Sequence, residues 1–207
     1  VSPAGSRVSR LFAAAAIAIA AAAPASAKPV IEDLVTEWAA GRPQVSFRVA
    51  NAFSEETLER IDSGIAVTFR HRIEVVSRRA LPLIPDKVRA KVVVETTAEY
   101  DVLTKRYALL RRIDVRGDKK RLNPAPVEES KVTFSEDEMR AWMTVLDGIE
   151  VYDPAQELEG PRLRVRVESA VGRRYLLLIF PADISATAEL ELDVPAPPAA
   201  VSENAFR

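Results

Sequence analysis

Over five stretches of the chain, apolar and polar residues alternate at period two. Val45, Phe47 and Val49 alternate with Gln44, Ser46 and Arg48, and Val67, Phe69, His71, Ile73 and Val75 with Thr68, Arg70, Arg72 and Glu74. Val88, Ala90, Val92 and Val94 alternate with Lys87, Arg89 and Lys91, and Leu163, Val165 and Val167 with Arg162, Arg164, Arg166 and Glu168. The last stretch runs from Ile184 to Val194 against Ser185, Thr187, Glu189, Glu191 and Asp193. Successive side chains of an extended chain point to opposite faces, so each stretch reads as a strand with one face on a core and one in water. Five such strands predict a mainly β fold, an antiparallel sheet or β-sandwich, with α+β as the alternative class.

Two short helices interrupt the strands, at about 54–63 and 135–147. Ser54 stands where an N-cap would, Glu55 and Glu56 suit the positive end of the helix, and Gly64 suits the left-handed position after it. Ser135 and Glu138 form a capping box, and Met139, Trp142, Met143 and Leu146 fall on one face at i, i+3, i+4 and i+7, with Gly148 as the stop. That spacing is explained by core packing, without a cofactor.

The first 27 residues have the three parts of a secretory signal peptide. Arg7 and Arg10 form the basic region, Leu11 to Ala23 is an apolar run of 13 residues, and Ala25-Ser26-Ala27 is a small-residue cleavage site. The run is shorter than the roughly 20 residues that span a bilayer. The mature protein is therefore expected to start at Lys28, with one β-rich domain over 28–194 and an extended, proline-rich tail over 195–207. Without the signal, 27 basic residues face 30 acidic ones, a formal net charge of −3. This balance argues against nucleic acid as a partner, and no later stretch is long enough to span a membrane. A periplasmic protein is the expectation, with secretion to the medium as the alternative.

Candidate chemistry is sparse. The chain has no cysteine, one histidine and seven glycines, and carries no nucleophile elbow, paired-histidine zinc motif or glycine-rich phosphate loop. The acidic run at 147–160 lacks the spacing that folds carboxylates around calcium. Neither a cofactor nor a catalytic residue is assigned, although an active site built only of Asp, Glu and Tyr would leave no signature. His71 shares the apolar phase of its strand with Phe69 and Ile73, while Arg70 and Arg72 point the other way. It therefore reads as a packed, hydrogen-bonded strand residue.

Two features are candidates for interaction. Arg70 and Arg72 on one strand, with Arg89 and Lys91 on the next, could share one face of a hairpin and meet an acidic partner, with Glu74 neutralising one of them. The hairpin tip carries Leu81, Leu83 and Ile84 with Pro82 and Pro85, an apolar tip that must fold back or meet something.

The order of "NAFSEETLERIDSGIAVTFRHRIEV", "AEYDVLTKRYALL", a capped helix, "YLLLIFPADI" and a closing "SENAFR" resembles a family of exported bacterial proteins catalogued as a domain of unknown function. The likeness runs from about Ile31 to Arg207 and is most specific at Ser63-Gly64 with Phe69, and at Tyr100-Asp101 with Leu103 and Tyr107. The tryptophan expected between the last strand and Phe206 is missing here. The resemblance implies a periplasmic single-domain protein with no assigned activity, some of whose relatives are encoded near two-component sensor kinases. Its motif residues read as a structural corner: an aspartate at a strand end accepts backbone N–H groups of the turn, and the tyrosines bury their rings while their hydroxyls find partners. The function expected is a non-catalytic envelope domain that binds an unidentified envelope protein, with a carrier of an apolar small molecule or lipid as the alternative.

Overall fold

In the computed structural model, which describes residues 27–39, 42–77, 86–116, 125–151, 163–176 and 180–192, the described residues of all five alternating stretches form strands. The strands among the described residues are β1 (Val30–Ala39), β2 (Arg42–Ala50), β3 (Val67–Ser77), β4 (Lys87–Asp101), β5 (Arg106–Arg116), β6 (Val127–Thr133), β7 (Val145–Glu150), β8 (Leu163–Leu176) and β9 (Phe180–Leu192). The helices are α1 (Glu55–Asp62) and α2 (Glu136–Thr144). All pairings are antiparallel, in one sheet of order β1-β2-β7 and a larger one of order β6-β5-β4-β3-β8-β9. The fold is thus mainly β, with two antiparallel sheets and two helices.

The sheets share one apolar core. Val45, Phe47 and Val49 of β2 and Leu146 and Ile149 of β7 meet Phe69, Ile73 and Val75 of β3, Val92 and Val94 of β4 and Val165 and Val167 of β8. Ile61 of α1 and Met139 and Met143 of α2 fill it from the connections. The inward phase of β2, β3 and β8 is the one that the alternation predicts. That of β4 is not kept throughout, because Val75 pairs with Ala90 but Val76 with Val88, leaving Arg89 as an extra residue. A bulge of this kind reverses the facing of the residues beyond it, and Val88 is 46% exposed instead of joining Ala90 in the core.

Both helices start where the serines predict. The Ser54 and Ser135 hydroxyls accept from the backbone N–H groups of Thr57 (3.2 Å) and Glu138 (3.3 Å). The reciprocal half of the capping box is replaced: Thr133 Oγ1 accepts from the Ser135 N–H at 3.1 Å, and the Glu138 carboxylate turns to Thr133 and Lys131. The second helix also ends earlier than its periodicity suggests. Val145 is already extended, and Val145 and Leu146 pair with Arg48 and Phe47 of β2, so Leu146 fills the core from a strand. Gly148, with φ +61°, belongs to a bulge in β7 and not to a helix stop. There the Ser46 hydroxyl accepts from the Gly148 N–H at 2.9 Å and donates to Asp147 Oδ1 at 2.7 Å.

Candidate functional site

The abrupt passage from α2 into β7 creates a problem that side chains of the larger sheet solve. A helix leaves its last carbonyls without partners, and a left-handed glycine cap commonly supplies N–H groups for them. Here the chain extends at once, so the carbonyls point at β3, β4 and β5. His71 Nε2 lies 3.2 Å from the Met143 oxygen, and Thr96 Oγ1 donates to the same oxygen at 3.1 Å. Arg111 Nη2 donates to the carbonyls of Trp142 (2.8 Å) and Val145 (3.2 Å), and its guanidinium lies 4.4 Å from the centre of the Trp142 ring. A cation at this position also complements the negative end of the helix.

In the neutral ring the hydrogen bonds select one tautomer of His71. A carbonyl only accepts, so Nε2 carries the hydrogen, and Nδ1 accepts from the Ser169 hydroxyl at 3.0 Å. The ring is fully buried, edge-on to Phe47 at 5.9 Å between centres. Burial, assisted by the nearby Arg111 charge, lowers its pKa from 6.5 to about 4 although the Met143 carbonyl acts the other way. Burial likewise lowers the pKa of Arg111, opposed by Glu129. Thr96 and Ser169 had a readable signal, since each continues the inward phase of its own strand after Val94 and Val167, whereas Arg111 lies on a strand whose apolar face is not clean. The node joins α2 to four strands and has no solvent-facing imidazole to offer a substrate.

The residues that carry the family likeness meet at one end of the larger sheet. Gly64, at φ +78°, follows α1, where its N–H donates to the Ile61 carbonyl at 2.9 Å, and a Cβ there would lie 3.3 Å from the Tyr100 carbonyl oxygen. The Tyr100 and Tyr107 rings pack 4.9 Å apart, and the Tyr107 hydroxyl donates to Asp62 Oδ1 at 3.4 Å. Asp101 accepts from the N–H groups of Leu103 (2.9 Å) and Thr104 (3.2 Å) and from the Thr104 hydroxyl (2.6 Å). These bonds to its charged form hold its pKa below the usual carboxylate value. Phe69 lies deeper, fully buried, 5.1 Å from the Phe53 ring centre.

Leu103, at the tip of that turn, is 94% exposed. Val102 beside it, Ile65 after Gly64, and Phe134 and Val132 at the end of β6 are also exposed. All five lie at the same end of the sheet: the Arg106 guanidinium, opposite Asp101 at the turn, is 5.1 Å from the Phe134 ring centre, and a Cβ added at Gly64, next to Ile65, would be 3.8 Å from the Val102 side chain. Sequence reasoning overlooked Val132, Phe134 and Ile65, because isolated apolar residues in strands and loops read as core.

The basic row is not a free positive strip. Arg70 pairs with Glu95 (3.2 Å), Arg72 with Glu168 (3.3 Å) and Lys91 with Glu74 (3.3 Å), each with the residue directly opposite on the neighbouring strand. Arg89 is the extra residue of the β4 bulge. Leu81, Leu83 and Ile84 lie outside the described residues, as do residues 152–160 of the acidic run. No group of three or more metal-binding side chains occurs among the described residues. An open cleft of about 630 Å³ lies between α1 and the start of β3 and the β8–β9 bulge. Lys28, Arg60 and Arg70 line it together with Glu56 and Asp183, so charges of both signs face it. No helix among the described residues is long and apolar enough to cross a membrane.

No curated protein and no solved structure matches the chain. A family match covers residues 26–179, taking in the corner, the buried node and every described strand but β9. The chain belongs to the family described as Domain of unknown function (DUF4390).

Proposed function

We propose that the chain is an exported, non-catalytic domain of the cell envelope that works by holding a protein partner, in the periplasm or, alternatively, released to the medium. The observation that carries this reading is the exposed apolar end formed by Ile65, Val102, Leu103, Val132 and Phe134. Exposed apolar surface marks contact sites, and here Val102 and Leu103 sit on a turn pinned by Asp101 beside the tyrosine pair. The signal-peptide pattern of residues 1–27 supports export. The gene neighbourhood implied by the family likeness supports an accessory role in envelope signalling.

A second reading, a carrier of a small molecule, is favoured by the cleft beside α1, whose volume falls in the range of ligand sites. Its charged walls suit a polar ligand better than the apolar one expected from the sequence.

The test is crosslinking in the native host followed by capture of the mature protein, compared with the Leu103→Ser/Phe134→Ser variant. A partner captured by the wild type and lost by the variant, at unchanged melting temperature, is the expected result. Equal capture by both refutes the apolar end as the docking site. Mass spectrometry of the exported protein should place its N-terminus at Lys28, and any other start refutes the assigned cleavage site.

A further inference from the structure

The free edge of the larger sheet has a self-complementary sequence. β6 is the terminal strand of its sheet, pairs only with β5 among the described strands, and is exposed from Val127 to Val132. Its register with β5 is unbroken from Ile113↔Val127 to Tyr107↔Thr133, and the strand contains no proline. Bulges and prolines are devices that keep a sheet edge from pairing, and this edge has neither, though it does carry charges. Those charges are of both signs, and their order decides what they repel.

We propose that β6 pairs antiparallel with β6 of a second copy about a twofold axis through Ser130, joining two six-stranded sheets into one. An axis normal to the sheet keeps inner faces with inner faces, so a residue can oppose only residues of its own phase and the axis must pass through a residue. Centring on Glu128, Glu129 or Lys131 sets that charge against its own copy, whereas centring on Val132 brings no opposite charges together. The register centred on Ser130 places Glu129 opposite Lys131 of the other copy, twice by symmetry, and Glu128 opposite the exposed Val132. Directly opposed unlike charges stabilise such a pairing and like charges oppose it, and a twofold interface of this kind is self-complementary. Within one copy Glu129 approaches Arg111 (3.7 Å) and Lys131 pairs with Glu138, so the pairing across the axis would give each of these charges a second partner. The pairing would place two copies of the apolar end on one continuous sheet, and it stands or falls independently of what that end binds.

Analytical ultracentrifugation of the mature protein over a range of concentrations should reveal a dimer. Glu129→Lys and Lys131→Glu should each weaken dimerisation about tenfold or more, since both symmetric positions change together. The double reversal should restore it, although it restores neither contact to Arg111 nor that to Glu138. A second measurement uses the absence of native cysteine. Ser130→Cys lies opposite its own copy, at a separation that antiparallel partners share with disulfides, and should crosslink to a dimer under mild oxidation, whereas Glu128→Cys should not. A monomer at every concentration, a dimer indifferent to the single reversals, a double reversal as weak as the singles, or equal crosslinking at 128 and 130 would each overturn the proposal.

Discussion

His71 Nε2 donates to the Met143 carbonyl across 3.2 Å, tying the middle of β3 to the last turn of α2. The Met143 bond by itself favours the charged ring, but burial outweighs it and lowers the folded-state pKa from 6.5 to about 4. The unfolded chain therefore binds the proton more readily. The stabilisation is fully present above pH 6.5 and is lost as pH falls through the window down to 4, to a total of about 3 kcal/mol. Denaturant unfolding at several pH values should show this slope, and His71→Gln should remove most of it. At neutral pH the same variant should lower stability by roughly 0.5–3 kcal/mol and leave partner capture intact. Loss of capture in a folded variant would give His71 a role that its burial denies.

Arg111→Lys should behave as a non-conservative change. One nitrogen, Nη2, donates to both the Trp142 and Val145 carbonyls while Nη1 faces Glu129, and a lysine has no planar guanidinium to divide its contacts in this way or to stack on the indole. Stability should fall by about 1–3 kcal/mol. Because His71 and Arg111 cap neighbouring carbonyls of one helix end, their combined effect should depart from additivity by about 0.5 kcal/mol or more in a double-mutant cycle. Strict additivity would mean that the two act on α2 independently.

Gly64→Ala introduces a Cβ at φ +78° and 3.3 Å from the Tyr100 carbonyl. The left-handed conformation alone disfavours alanine by about 1–2 kcal/mol, and the fixed backbone oxygen leaves little room to relax. A loss of stability in that range by urea unfolding is expected, and an unchanged midpoint would mean that the corner moves freely.

Asp101→Ala removes three acceptor contacts from the β4–β5 turn, and Tyr107→Phe removes the link to Asp62. The combined variant should melt at lower temperature. Retained partner capture at reduced melting temperature identifies a structural corner. Unchanged melting with lost capture would place the contact at the corner itself.

Alternation alone determined which faces of β2, β3 and β8 turn inward, because extended backbone fixes side-chain direction locally, and it put His71 inside for the same reason. The serine caps of both helices were equally local, since each hydroxyl bonds to a residue three positions on. Four strands were hidden. In β1, Asp33 at φ +54° lies in a bulge that lets both Ile31 and Leu34 reach the core at a spacing of three. β5 turns Arg111 inward and leaves Leu110 outside, and β6 is almost wholly exposed, so neither has a clean apolar face. β7 began inside the predicted helix because its pairing with β2, about 100 residues earlier in the chain, outweighed the helical period. The candidate surface was hidden in the same way. Ile65, Leu103 and Phe134 come to the same end of the sheet only when separate turns of the chain are brought together, and Arg70, Arg72 and Lys91 are neutralised only when the opposite strands supply their glutamates. Side-chain direction follows from neighbours along the chain, but bulges, edges and charge partners depend on residues that meet only after folding.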